Sequence, residues 1–358
     1  MNGFSCKTEL LIGCGAEAVI KKQNFQRLLV VSDPFFSQNG WAERLGRQAT
    51  AWEIFDRIVP DPSVALVAEG VMLLQQFQPD GILALGGGSA LDCAKAMHYF
   101  GGLDIPLIAI PTTSGSGSEV TDFAILTHEG VKHPLVDTKL RPTMAILEEA
   151  LLLEMPRSLI ADGGFDVLSH ALEAWVGTHA NAFTDTLAAN AFENALSYLL
   201  PSFQGDKTAR LPMHTASTMA GLAFTHAGLG MCHALAHSLG GQFHVPHGRL
   251  NAILLPAVVQ YNATAVSHRY AQLARQIGLG GASDTIALRN LKNALVRLRR
   301  QLLLPATLAE AGIAPSALHS KLDAIITAAK EDACCQTNPM PVTEDLLRQV
   351  LLEVSGHG

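Results

Sequence analysis

The sequence predicts an α/β half with a parallel, doubly wound sheet, followed by an all-α half. Three observations predict it. Short apolar runs alternate with amphipathic ones over the first 150 residues or so. Glycine-rich loops follow two of those runs. From about Pro156 strand signals give way to long Ala- and Leu-rich stretches. The expected domains are residues 1–155 and 156–358.

RLLVVSD (27–33), GILALGGG (81–88) and PLIAIPTT (106–113) read as buried parallel strands. Between the first two, Val64, Val67, Val71 and Leu74 recur on one helical face. FAILTH (123–128) and KHPLVD (132–137), joined by EG, read as a hairpin beside the sheet, and MAILE (144–148) as its last strand. VLSHALEAWVG and FTDTLAANAFENALSYLL are representative of the helical half.

Composition narrows the function classes. The chain has 358 residues, enough for two domains, with 48% hydrophobic and 16% charged residues. A net charge of −7 argues against nucleic acid or an anionic membrane as the main partner. The N-terminus shows no signal peptide and the sequence has no apolar run long enough to span a bilayer, so the cytoplasm is the expected compartment. Six cysteines without CxxC spacing build neither a disulfide framework nor a zinc finger.

LALGGGSALDCAK (83–95) places three glycines and a serine between a strand and a helix, where backbone N–H groups and the helix N-terminus can receive an anion. Asp92 and Lys95 follow. PTTSGSGSEVT (111–121) is a second loop of that kind. The bland reading is a pair of tight turns; two in tandem point to a dinucleotide. The usual GxGxxG fingerprint, with its acid about 20 residues downstream, is absent. Asp33 instead closes the upstream strand, either binding ribose hydroxyls and so favouring NAD over NADP, or capping the helix that Asp-Pro-Phe starts.

GGFDVLSHALEAW sets Asp166 and His170 at i and i+4 on a helix. GLGMCHALAHSLGGQFHVPHG crowds His233, His237, His244 and His247, with the first two again at i and i+4. Gly240 and Gly241 are expected to end that helix, and the returning loop can bring His247 near His233. Imidazoles with a carboxylate suit Fe(II), Zn or a similar divalent ion.

These segments, with PHGRLNAILLP and AKEDACCQTNPMPVTEDLL, resemble the iron-containing alcohol dehydrogenases in order and spacing over essentially the whole chain. The resemblance implies that family's fold, shared with dehydroquinate synthase-like enzymes. It implies metal ligands at Asp166, His170, His233 and His247. It implies NAD(H) contacts at Asp33, Gly86, Gly87, Gly88, Ser89, Thr112, Thr113, Ser116 and Lys132, with Asp92 in the same glycine motif. His237 would face the nicotinamide without ligating metal, and His244 matches no ligand position. The implied activity is NAD(H)- and metal-dependent interconversion of short-chain aldehydes and primary alcohols, on Fe(II) or Zn. The likeness is greatest to propanol dehydrogenases of bacterial microcompartments, which implies shell or partner enzymes as associates; a homodimer is the default assembly. The runner-up is an NAD- and metal-dependent lyase of the dehydroquinate synthase type. Its phosphorylated substrate would need basic residues near the metal, where Arg249 is the nearest.

Overall fold

The computed structural model describes residues 3–128 and 131–356. The chain divides into two units, Ser5–Met155 and Pro156–Gly358 with Met1–Phe4.

The first unit is built on β1 (Glu9–Ile12), β2 (Arg27–Ser32), β3 (Ala51–Phe55), β4 (Gly81–Gly86), β5 (Leu107–Pro111) and β8 (Met144–Leu147), in the order β1-β8-β5-β4-β2-β3. Every pairing is parallel, with Val30 opposite Leu83 and Ala84 opposite Ala109. Side chains alternate between the faces, so Leu29, Val31, Ile82 and Ala84 pack on one side and Leu28, Val30, Leu83 and Leu85 on the other. Helices α4 (Val64–Phe77) and α5 (Gly88–Gly101) cover the first face. Helices α1 (Ala16–Gln23), α2 (Pro34–Gln38) and α3 (Trp41–Gly46) cover the second. Both faces are therefore closed, which is what makes the central strands read as unbroken apolar runs.

β6 (Phe123–His128) and β7 (Val131–Val136) form a separate antiparallel pair. The EG turn expected between them lies outside the described residues. The chain leaves β2 toward β3 and returns past it to β4, so strand order reverses beside β2 and β4. Ligands of doubly wound sheets bind at the carboxyl ends of strands around such a reversal.

The second unit is helical: α6 (Arg157–Val176), α7 (Ala182–Gln204), α8 (Arg210–Ala227), α9 (Met231–Phe243), α10 (His247–Gln276, kinked at Val266), α11 (Asp284–Gln301), α12 (Pro315–Glu331) and α13 (Glu344–Val354). Helix α6 is buried on all sides from Phe165 to Val176, as befits a helix at the centre of a bundle. Helix α10 crosses it closely. A Cβ on Gly248 would lie 1.9 Å from the Asp162 carbonyl oxygen, so only glycine fits the crossing and His247 is brought beside α6.

One expectation is corrected. Gly240 and Gly241 lie inside α9, which continues to Phe243. His244 ends it in the left-handed conformation at φ 55°, its N–H donating to the Gly240 carbonyl. Burial of α9 outweighs the ~1 kcal/mol by which a glycine weakens a helix interior. Among the described residues no helix is long and apolar enough to cross a membrane.

Candidate metal centre

Helix α6 presents Asp166, His170 and Glu173 at i, i+4 and i+7, one stripe of its surface. Helix α9 adds His233 and His237, and Pro246 caps α10 so that His247 is its first residue. The Oδ1 of Asp166 lies 3.4 Å from Nε2 of His247, 3.6 Å from Nε2 of His233 and 3.8 Å from Nε2 of His170. Donors around a tetrahedral ion at ordinary Zn–N and Zn–O bond lengths stand about 3.3–3.6 Å apart, so the spacing fits a divalent ion with small adjustments. The His170 ring stacks between Phe224 (4.4 Å) and His233 (4.5 Å), which fixes its plane.

Electrostatics favour the donor states a cation needs at Asp166 and His247, and oppose them at His233. Burial opposes the charge on Asp166, yet the imidazoles of His170, His247 and His233 hold its carboxyl well below the usual range. Burial pushes His247 well below its usual value, and the neighbouring imidazoles add to this against the pull of Asp166. This favours the neutral ring at His247, whose Nε2 lies 3.2 Å from Asn251 Nδ2. His233 moves the other way: burial lowers it, but hydrogen bonds and charge from Asp166 and Glu173 raise it.

Three residues that the sequence reading missed support this set. Glu173, 3% exposed, accepts from His233 Nδ1 at 2.6 Å. Asn251 on α10 is fully buried and donates from Nδ2 to Asp166 Oδ1 at 2.9 Å. Asp332, just after α12, lies 2.8 Å from His237 Nδ1 through Oδ2. Burial works against Asp332 too, but its bond to His237 and a backbone bond from Cys334 hold its carboxyl well below the usual range. An ionised carboxylate only accepts, so Nδ1 of His237 carries a proton, and in the neutral ring the lone pair is then on Nε2. The position of Glu173 at i+7 from Asp166 was the one signal that could have found it. His237 stacks on His247 with ring centroids 5.1 Å apart and lies outside the mutually close donor group of Asp166, His233 and His247; His170 also lies outside that group and approaches it through Asp166 Oδ1 at 3.8 Å. His244 is the α9 cap described above.

The glycine loop and the serine-rich loop of the first unit pack side by side. Gly86 sits at φ 153°, and a Cβ there would meet the Ala90 Cβ at 2.6 Å and the Asp33 Oδ2 at 3.3 Å. A Cβ on Gly87 would touch Thr113, and one on Gly88 would touch Ser116. Thr112 donates its N–H to the Gly86 carbonyl at 3.0 Å. Gly87, Gly88 and Ser89 are half-buried at the start of α5, with N–H groups available to an anion.

Asp33 does cap α2, through Oδ1 to the N–H groups of Phe35 and Phe36. Its Oδ2 borders the glycine loop, and burial raises its carboxyl. Asp92 is committed to its own chain: Oδ1 accepts from Ser118 Oγ and Oδ2 from Ile125 N–H. These two bonds shape the second loop and hold it to α5. Lys132 lies on β7, with its side chain outside the described residues.

The family model for iron-containing alcohol dehydrogenase matches residues 8–149, and the model for the C-terminal part of the Fe-containing alcohol dehydrogenase family matches residues 160–354. The chain is similar to the 1-propanol dehydrogenase of Salmonella typhimurium, 39% identical over 369 residues, covering 99% of this chain and 100% of that protein. It is similar to the NADPH-dependent butanol dehydrogenase of Clostridium saccharobutylicum, 39% identical over 376 residues, with 98% and 97% covered. Among solved structures it resembles the iron-containing alcohol dehydrogenase of Thermococcus thioreducens, with a TM-score of 0.92, 30% identity, and 98% and 99% coverage.

Proposed function

The chain belongs to the iron-containing alcohol dehydrogenase family, and on that footing we propose that it interconverts short-chain aldehydes and primary alcohols with NAD(H). The substrates proposed are propanal with 1-propanol, or ethanal with ethanol, running toward aldehyde reduction and regeneration of NAD. The observation that carries this reading is the convergence of Asp166, His170, His233 and His247 at 3.4–3.8 Å about one carboxylate oxygen.

When bound, a divalent ion, Fe(II) with Zn as the alternative, supplies Lewis acidity toward the substrate oxygen, and NAD(H) supplies the hydride chemistry. Asp166, His170, His233 and His247 hold the ion. The N–H groups from Gly87 to Ser89, with Thr112, Thr113 and Ser116, cradle the cofactor phosphates, and Lys132 is assigned to the same cofactor. Asp33 favours a free ribose hydroxyl over a 2′-phosphate. His237, with its proton on Nδ1 held by Asp332, offers Nε2 to take the proton of the alcohol or return it to the product. A homodimer associated with microcompartment proteins is the proposed setting.

The lyase alternative lacks support near the metal donors. The Arg249 guanidinium is engaged by Asp162, at 3.2 Å from Nε and 3.0 Å from Nη2, and is not free for a phosphate. The test is a steady-state comparison of ethanal, propanal, butanal and lactaldehyde on iron-loaded protein under anaerobic conditions, with NADH and NADPH. Highest kcat/KM with NADH and either propanal or ethanal is expected, with activity lost in air. No turnover with any aldehyde overturns the activity, an NADPH preference overturns the role of Asp33, and an equally active zinc form overturns iron.

A further inference from the structure

A second group of donors adjoins the first. One ring nitrogen of His237, a carboxylate oxygen of Asp332 and Sγ of Cys334 all lie within 4.8 Å of one another, and Nδ1 is the ring nitrogen turned to Asp332, 2.8 Å from Oδ2. The local chain explains the convergence. Asp332 caps the short 3-10 turn Ala333–Thr337, its Oδ1 accepting from the Cys334 N–H at 2.8 Å, which leaves Oδ2 for His237. The adjacent Cys335 is turned elsewhere, its thiol donating to the Ala329 carbonyl. The His237 and Asp332 side chains are 29% and 19% exposed and Cys334 is half-buried, so this group is open to solvent where His233 is not.

We propose that His237, Asp332 and Cys334 form a second site, for a thiophilic divalent ion such as Zn²⁺, and that filling it withdraws His237 from proton handling. One nitrogen, one oxygen and one sulfur, with a fourth position left to water, is a donor set that zinc accepts. Donors of a tetrahedral zinc site stand about 3.3–3.8 Å apart, so closing the group requires movements of under about 1 Å. The sulfur also separates the two sites chemically, since the Asp166 set has nitrogen and oxygen donors only and a soft ligand selects differently.

Binding involves no change of oxidation state. The Cys334 S–H bond breaks, its proton goes to solvent, and a sulfur–metal bond forms. Nδ1 of His237 gives up its proton for a bond to the ion, while Nε2 gains one. The ring stays neutral and one proton is released per ion. Burial and the nearby Asp332 push the Cys334 thiol well above its usual value, so the metal must displace a proton at neutral pH. The nitrogen that carried the lone pair now carries hydrogen and can no longer accept. The inhibitory consequence rests on the role proposed for His237; the site itself does not.

Cobalt(II) tests the site directly, because only a thiolate ligand gives a sulfur-to-cobalt charge-transfer band and the first donor set has none. Titration of the full chain should produce that band with the second equivalent of Co²⁺. The band should be absent in Cys334→Ser and retained in Cys335→Ser and His247→Ala. No band in the parent, or its loss in Cys335→Ser with retention in Cys334→Ser, overturns the site. On iron-loaded enzyme, Zn²⁺ should lower turnover at least ~10-fold, within the range general acid–base catalysis supplies, with iron content unchanged. Cys334→Ser should lose less than about 2-fold under the same additions. Equal inhibition of both proteins, or zinc binding without inhibition, overturns the inhibitory role. If iron-loaded protein reduces no aldehyde, the proposed activity falls while the cobalt band still decides the site.

Discussion

The Glu173 carboxylate stands 2.6 Å from Nδ1 of His233 and also accepts the N–H groups of Gly230 and Cys232, at 2.9 and 2.8 Å. Gly230 has no side chain with which to cap α9, so a residue of α6 does so and orients the histidine with the same group. The helix N-terminus steadies the carboxylate, the carboxylate fixes the ring proton on Nδ1, and Nε2 is left facing Asp166.

Glu173→Gln is therefore expected to weaken metal binding about 10- to 100-fold. Competition against a chelator of known affinity measures this. Parental affinity in the variant would mean that the carboxylate caps the helix and nothing more.

Asp332→Asn replaces an acceptor with a group that can donate to His237 Nδ1, favouring the tautomer with hydrogen on Nε2. Turnover should fall about 10- to 1,000-fold, consistent with loss of one positioned acid–base group, with KM nearly unchanged. Iron content, measured alongside, should match the parent. Unchanged kcat refutes the pairing as a functional one.

Gly86→Ala places a methyl group 2.6 Å from the Ala90 Cβ, on a backbone at φ 153°. Stability should drop by about 1–3 kcal/mol, and the displaced loop should bind NADH more weakly. Thermal melts and a fluorescence titration report the two effects. A variant that melts and binds like its parent would show that the loop does not need its glycine.

Lys95 is fully buried, with Nζ donating to the Ser118 carbonyl, Ser118 Oγ and Thr121 Oγ1. Burial lowers its pKa to about 8, against the opposing pull of Asp92, Glu119 and Asp122. The unfolded lysine titrates near 10.4. Between those values the unfolded chain holds a proton the folded chain has lost, so this group makes stability rise with pH; below about pH 8 its contribution is flat. Denaturant midpoints of the parent relative to Lys95→Met should shift in the parent's favour from pH 8 to 10. A shift the other way means the buried amine stays charged.

The central strands were legible because burial on both faces turns β2, β4 and β5 into continuous apolar runs. β1 and β3 lie at the edges of the sheet, where ELLI and AWEIF keep exposed positions and lose that signature. Asp166 with His170, and His233 with His237, were legible at i, i+4, a spacing that survives translation from sequence to helix, whereas His247 was picked out by the family resemblance. Asp332 was not, because it meets His237 across 95 residues and looks like any acid following a helix. Glu173 reaches His233 across 60 residues and passed for an ordinary helix acid. Gly240 and Gly241 misled for the opposite reason, their local preference being overridden by the packing of α9.

The segment 332–338 reaches back to α9 and α10. Asp332 holds His237, Thr337 Oγ1 donates to the Leu229 carbonyl, and Asn338 takes the Met231 N–H while exchanging amide bonds with Asn262. During synthesis, all four proposed ligands have been made by His247, but this strap arrives about 85 residues later. At about 5–20 residues per second, that leaves several seconds in which the ribosome-bound chain carries imidazoles without their full frame. Metal loading in that interval would meet a looser site than the finished protein presents. Which ion such a looser site would take is then set by what the chain meets during those seconds as well as by the finished geometry.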